Sequence, residues 1–104
     1  MNDVQLALLA AKLLISHKRD WLQEDYARDQ AGHACDPQLA GACSWCAVGA
    51  LEAVMPPGET PHKPLHYLQR VARERYATSP FSVNDRFGHR FVMKMYDEAI
   101  ALAA

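Results

Sequence analysis

Cys46 follows Ser44, a residue suited to cap a helix, so its thiol falls in the first turn of the apolar run 45–55. Unpaired amides and the helix macrodipole favour an anion there and lower a thiol's pKa, which is how a nucleophilic cysteine is commonly placed. Asp85 and His89 are four residues apart, so one helical face would present an imidazole beside a carboxylate. Brought together, Cys46, His89 and Asp85 would supply nucleophile, base and orienting group for a cysteine-dependent hydrolase or transferase. The same thiol belongs to a second pattern. His33 and Cys35, then seven residues, then Cys43 and Cys46 make an H-x-C pair followed by C-x-x-C, and four nitrogen or sulfur ligands suit tetrahedral zinc. A redox C-x-x-C would need a strand and parallel-sheet context that the sequence lacks. Against all of these stands a plainer reading: Cys46 is a small buried hydrophobe, Asp85 a helix cap and His89 a solvated residue.

The remaining polar residues read as surface. His62 and His66 share a helical spacing, but Pro64 between them disturbs the turn on which they would chelate. Lys63, Arg70, Arg73 and Arg75 make one basic helix face, with Glu74 the acid among them, and such a face is ordinarily solvated.

Positioning these groups falls to helices. Asn2 or Asp3 caps a first helix whose apolar residues, from Val4 to Ile15, are dense enough to be buried on more than one side. Asp20 begins a short second helix carrying Trp21, Leu22 and Tyr26, and 32–41 is an irregular loop. Glu52 is the one charged residue in 45–55, so that helix belongs at the centre. Gly49 within it is costly unless another backbone packs closely there. Pro56, Pro57 and Gly58 end it. A further helix starts near Pro64 with Leu65, Leu68, Val71, Ala72 and Tyr76 as its stripe, and Ser79-Pro80 breaks it. Residues 81–83 read as an extended connector, after which Asn84 or Asp85 caps a last helix carrying Phe87, Phe91, Met95, Ala99 and Leu102. No segment alternates as a strand would.

Composition narrows the function classes. Eleven Lys and Arg balance twelve Asp and Glu over 104 residues, so no global field draws the chain to nucleic acid or an anionic membrane. The acidic start MNDV and the interruption at Lys12 leave neither a signal peptide nor the roughly 20 apolar residues of a membrane span. Three cysteines cannot all pair within one chain, which points to a reduced, cytoplasmic setting.

Trp21, then Tyr26-Ala27-Arg28-Asp29 and Gly32, then Trp45-Cys46 with Gly49-Ala50-Leu51, then Asn84-Asp85, and finally Asp97 with Ala99-Ile100 form an ordered set. That set resembles a small uncharacterised helical family of bacterial and phage genomes, marked by aromatic-Cys-x-x-Gly-Ala-Leu and a downstream Asn-Asp. The resemblance brings no enzymatic activity with it, for none is assigned to that family. It implies that Trp45, Cys46, Asn84 and Asp85 share a pocket or a structural joint, with Trp21 among the residues involved, while His33, Cys35 and Cys43 lie outside its pattern. A joint is physically reasonable, since Asn84 and Asp85 can satisfy amides at one helix start while touching another.

The expectation is therefore one all-α domain, 1–104, of four to five helices around the central helix 45–55. Its expected role is that of a small binding or accessory protein of phage or mobile-element origin, needing no cofactor and acting on a protein partner.

Overall fold

The computed structural model describes residues 1–104 and is held together at its ends by the first helix, α1 (Asp3–Leu14). Asn2 and Gln5 form a capping box: the Asn2 side chain accepts from Gln5 N at 2.8 Å, and the Gln5 side chain accepts from Asn2 N at 3.1 Å. The same two amides donate onward, Asn2 Nδ2 to Ala103 O at 2.8 Å and Gln5 Nε2 to Ile100 O at 2.9 Å. They thereby satisfy carbonyls that the C-terminal helix would leave open. With Lys12 paired to Asp97 at 2.6 Å, the first and last helices run antiparallel.

A short helical turn at Lys18–Asp20 follows, then strand β1 (Ala27–Asp29), strand β2 (Ala42–Trp45) and helix α2 (Ala47–Ala53). Helix α3 (His62–Tyr76) leads to a single turn, α4 (Pro80–Ser82), which widens into a π turn at Val83–Phe87 before α5 (His89–Leu102). Leu8, Ala11 and Ile15 from the first segment meet Ala50 and Leu51 of α2, Leu68, Val71 and Ala72 of α3, and Val92, Met95, Tyr96 and Ala99 of α5 in one core. Every residue from Ala47 to Leu51 is buried, so α2 lies at the centre. No helix is long and apolar enough to cross a membrane.

The fold is mostly helical rather than all-α. The strands pair antiparallel, with Ala27 opposite Trp45, Arg28 opposite Ser44 and Asp29 opposite Ala42, and a register shift between Arg28 and Asp29. At three and four residues they are too short to show alternation, and their pairing is fixed from outside. Trp45 Nε1 donates to Pro37 O at 3.0 Å, and Asp29 Oδ1 accepts from Ala31 N and His33 N, both at 3.0 Å, folding the loop back onto the ladder. Trp45 thus ends a strand, and the central helix begins two residues later than its sequence suggests, with Cys46 rather than Ser44 as its cap. Trp21, Leu22 and Tyr26 lie beyond the Lys18–Asp20 turn, not in a helix, because Leu22 N is drawn to Trp45 O at 3.1 Å. Residues 81–83 are helical rather than extended: Ser79 caps them and Pro80 suits the first position. The first helix is buried on one side only, for Leu6 and Leu13 are 51% and 61% exposed.

Helix α3 ends with Ala77 in the left-handed region at φ 55°, where its N–H donates to Arg73 O at 3.1 Å and Thr78 N donates to Ala72 O at 3.3 Å. Glycine occupies this position without the Cβ conflict. Ala77→Gly should therefore raise stability by about 0.5–1 kcal/mol, seen as a higher urea midpoint at unchanged slope.

Candidate functional site

Asn84 sits 1% exposed inside the π turn and is the centre of the molecule's polar interior. Its Oδ1 accepts from Trp21 Nε1 at 2.6 Å and from Ala47 N at 2.9 Å. Its Nδ2 donates to Leu22 O at 3.0 Å and to Asp85 Oδ1 at 2.9 Å. A primary amide has two donor hydrogens and an oxygen with two lone pairs, so this side chain is fully satisfied. Asp85 Oδ1 also accepts from Glu24 N at 3.1 Å, holding Glu24 at φ 77°, and Gln23 Nε2 donates to Asn84 O at 3.2 Å and Asp85 O at 3.1 Å. Residues 21–24 and 84–85 are thus latched from both sides.

The joint also completes α2. Of the amides left open at that helix start, Ala47 N is taken by Asn84 across the fold and Gly49 N donates to Cys46 Sγ at 3.3 Å. Asn84 therefore caps α2 and not the last helix, which starts at His89 after Gly88. Tyr96 OH donates to Ala47 O from the opposite side. Gly49 is needed because a Cβ there would stand 1.9 Å from Tyr26 O.

The three groups of the nucleophilic reading do not engage one another. Cys46 is 2% exposed and its thiol accepts from Gly49 N. His89 Nε2 meets Ile15 O at 2.7 Å, and its ring lies edge-on to Trp21 at 5.3 Å. A carbonyl only accepts, so Nε2 carries a hydrogen and cannot take one from a thiol. Asp85 is committed to Glu24 and Asn84. The helical spacing of Asp85 and His89 does not place them on one face, because the π turn and Gly88 (φ 96°) interrupt the helix between them. Burial raises the Cys46 thiol above its ordinary value of 9.0, with Gly49 N pulling the other way and Asp85 adding to the rise. That is the opposite of nucleophile activation.

The zinc set does not converge either. Cys46 faces the interior, Cys43 is exposed with its thiol at 3.5 Å from Arg28 O, and no three ligating side chains gather anywhere in the chain.

Burial also raises the Tyr96 phenol well above 10.0, with the Cys46 charge adding to it. Cys46 and Tyr96 thus hold their protons more tightly folded than unfolded, so the unfolded chain releases protons first as pH rises. Their contribution is intact below the ordinary thiol value of 9.0 and is lost above it. The urea midpoint should fall on the alkaline side, and more steeply than in a Cys46→Ala, Tyr96→Phe double variant.

One surface feature escapes the sequence reading. A groove of about 450 Å³ runs between α2, the Leu65–Arg73 face of α3 and the Pro80–Phe81 corner. Buried Val48 and Pro80 with half-buried Leu65 line its base, and Gln69, Arg73 and Phe81 its rim. Phe81, 41% exposed, stands edge-on to Tyr26, itself 45% exposed, with centroids 5.2 Å apart. A signal was present: Leu65, Gln69 and Arg73 are each four residues apart and form one ridge of α3, with Ala77 at the helix cap beyond it. Sorting Leu65 with the apolar stripe and Arg73 with the basic face splits that ridge in two.

Neither a curated protein nor a solved structure matches the chain. One family model does, across residues 1–102, and by that match the chain belongs to DUF6197, a family of unknown function.

Proposed function

We propose that this protein is a small cytoplasmic binding or accessory protein, of phage or mobile-element origin, that acts by contact with a protein partner. The observation that carries this reading is the groove beside α3, rimmed by Arg73 and by Phe81, whose ring stands edge-on to the exposed Tyr26. Exposed aromatic and arginine side chains around an apolar base are the composition of a contact surface. The groups best suited to chemistry, by contrast, are engaged within the joint: Asn84 with four partners, Asp85 with two and His89 with a carbonyl. Three free thiols, at Cys35, Cys43 and Cys46, suit a reducing compartment.

A photo-crosslinking amino acid placed at Phe81 in host cells tests the reading. The expected result is one adduct of discrete mass, competed away by excess unsubstituted protein, and none from the same group at Glu59, which lies outside the groove in the loop between α2 and α3. Equal labelling from both positions, or no protein adduct from any surface position, would overturn it.

A further inference from the structure

The groove's chemistry narrows what the partner must present. Helix α3 carries three arginines in its second half, and two are neutralised: Arg70 pairs with Glu74 at 3.0 Å and Arg75 with Glu98 at 3.0 Å. Arg73 has no ion pair and no hydrogen bond from its guanidinium, and no carboxylate lines the groove. The Gln69 amide and the Thr78 hydroxyl beside it are likewise without side-chain partners in the fold. An apolar base with one uncompensated, planar, fork-shaped cation at its edge is complementary to an apolar group that carries a carboxylate close by. Gln69, Arg73, Ala77, Ser79 and Phe81, five of the nine lining residues, are exposed. An occupant would leave much of its surface in water. Small-molecule sites instead enclose most of the ligand, whereas a chain segment anchored by one or two side chains tolerates this openness.

We propose that the groove between α2, α3 and the Pro80–Phe81 corner holds a short acidic-apolar segment of a partner protein, with an aliphatic or aromatic side chain on Val48, Leu65 and Pro80 and an adjacent Asp or Glu carboxylate on Arg73. This rests on the reading that the protein works by protein contact and adds the chemistry of the contact. Because Arg73 is exposed and unpaired, its replacement leaves the core untouched, so the Arg73 variants fold and report on binding.

Panning the full chain with a phage-displayed library of random dodecapeptides tests this. The expected outcome is a consensus with an apolar or aromatic residue within two positions of Asp or Glu. A synthetic peptide of that consensus should shift the backbone amide signals of Leu65, Arg73, Thr78 and Phe81. It should bind Arg73→Glu at least about tenfold more weakly and Arg73→Lys with an intermediate loss, and rising salt should weaken it. Peptides enriched without a carboxylate, equal binding to Arg73→Glu, shifts elsewhere on the surface, or no enrichment at all would overturn the proposal. A specific Phe81 adduct accompanying any of those results would leave the partner reading standing and remove only this occupant. Failure of the crosslinking alongside a carboxylate consensus would point the other way.

Discussion

Asn84→Ala should lower stability by about 4 kcal/mol, a loss reserved for changes that strand buried polar groups. Four contacts vanish together, to Trp21 Nε1, Ala47 N, Leu22 O and Asp85 Oδ1. Their consequences differ. Ala47 is 0% exposed, and its N–H has no turn of helix before it to accept the hydrogen. Leu22 O sits on a residue 8% exposed. Each buried group left open costs about 1–3 kcal/mol. Trp21 and Asp85 are more open and recover water, so the sum falls below four full penalties. The check is a urea unfolding curve with the slope held equal to that of the parent, so that the midpoint alone reports the change. Asn84→Asp separates the donors from the acceptor. The introduced carboxylate still accepts from Ala47 N, but it has no hydrogen for Leu22 O and lies beside Asp85. Burial and the neighbouring charge hold its proton more tightly in the folded chain, so its deficit against the parent should grow as pH rises and shrink in acid. A deficit independent of pH, or a cost near 1 kcal/mol for the alanine change, would mean that water readily replaces Asn84 and that the joint is not what docks residues 21–24 onto α2.

The helices were legible because each repeats its pattern over several turns: Leu68, Val71 and Ala72 in α3 and Met95 and Ala99 in α5 are buried at the spacing their sequence shows, whereas Phe87 and Leu102 of that last stripe are 44% and 37% exposed and the buried face of α5 turns to Val92 and Tyr96 instead. Gly49 carried its own message, since a glycine in so apolar a helix is costly unless a backbone approaches, and Tyr26 does. What the sequence hid depends on contacts between distant segments. The strands are paired across a loop that Trp45 pins at Pro37, and neither strand is long enough to declare a period. The π turn is equally silent in sequence. The local ladder is rearranged where Asn84 reaches Trp21 and Ala47, leaving Gly88 N to donate to Val83 O at 3.2 Å. Asp85 and His89, four residues apart, would share a face only on an unbroken helix, and the π turn with Gly88 breaks it between them. Of the candidate residues, the structure joins Trp21, Asn84 and Asp85 directly and reaches Cys46 only through the helix start it shares with Ala47. Trp45 turns its side chain to the loop, through Pro37, and meets the joint by its backbone, where its carbonyl accepts from Leu22 N.

Gly49→Ala puts a second large prediction on the same joint, from its packing rather than its hydrogen bonds. Alanine favours helix over glycine by about 1 kcal/mol, so propensity alone makes this substitution stabilising. Sterics oppose it: the added Cβ would lie 1.9 Å from Tyr26 O and 2.7 Å from Tyr26 C, both backbone atoms that no rotamer change can move aside. Nor can α2 retreat freely. Cys46 N donates to that same Tyr26 O at 3.1 Å, Ala47 N is held by Asn84, and Tyr96 OH holds Ala47 O from the other side. Relief requires β1 to lift from α2, breaking the Cys46 to Tyr26 hydrogen bond and disturbing the pairing of Ala27 with Trp45. The net loss should be about 3 kcal/mol or more. Gly41→Ala is the control, with nothing within 4 Å of the new Cβ and ordinary backbone angles, and should lie within about 0.5 kcal/mol of the parent. Urea midpoints for the two variants decide the matter. If they coincide, the Tyr26 backbone yields without resistance, and the small sheet lies loosely on the central helix instead of being clamped to it.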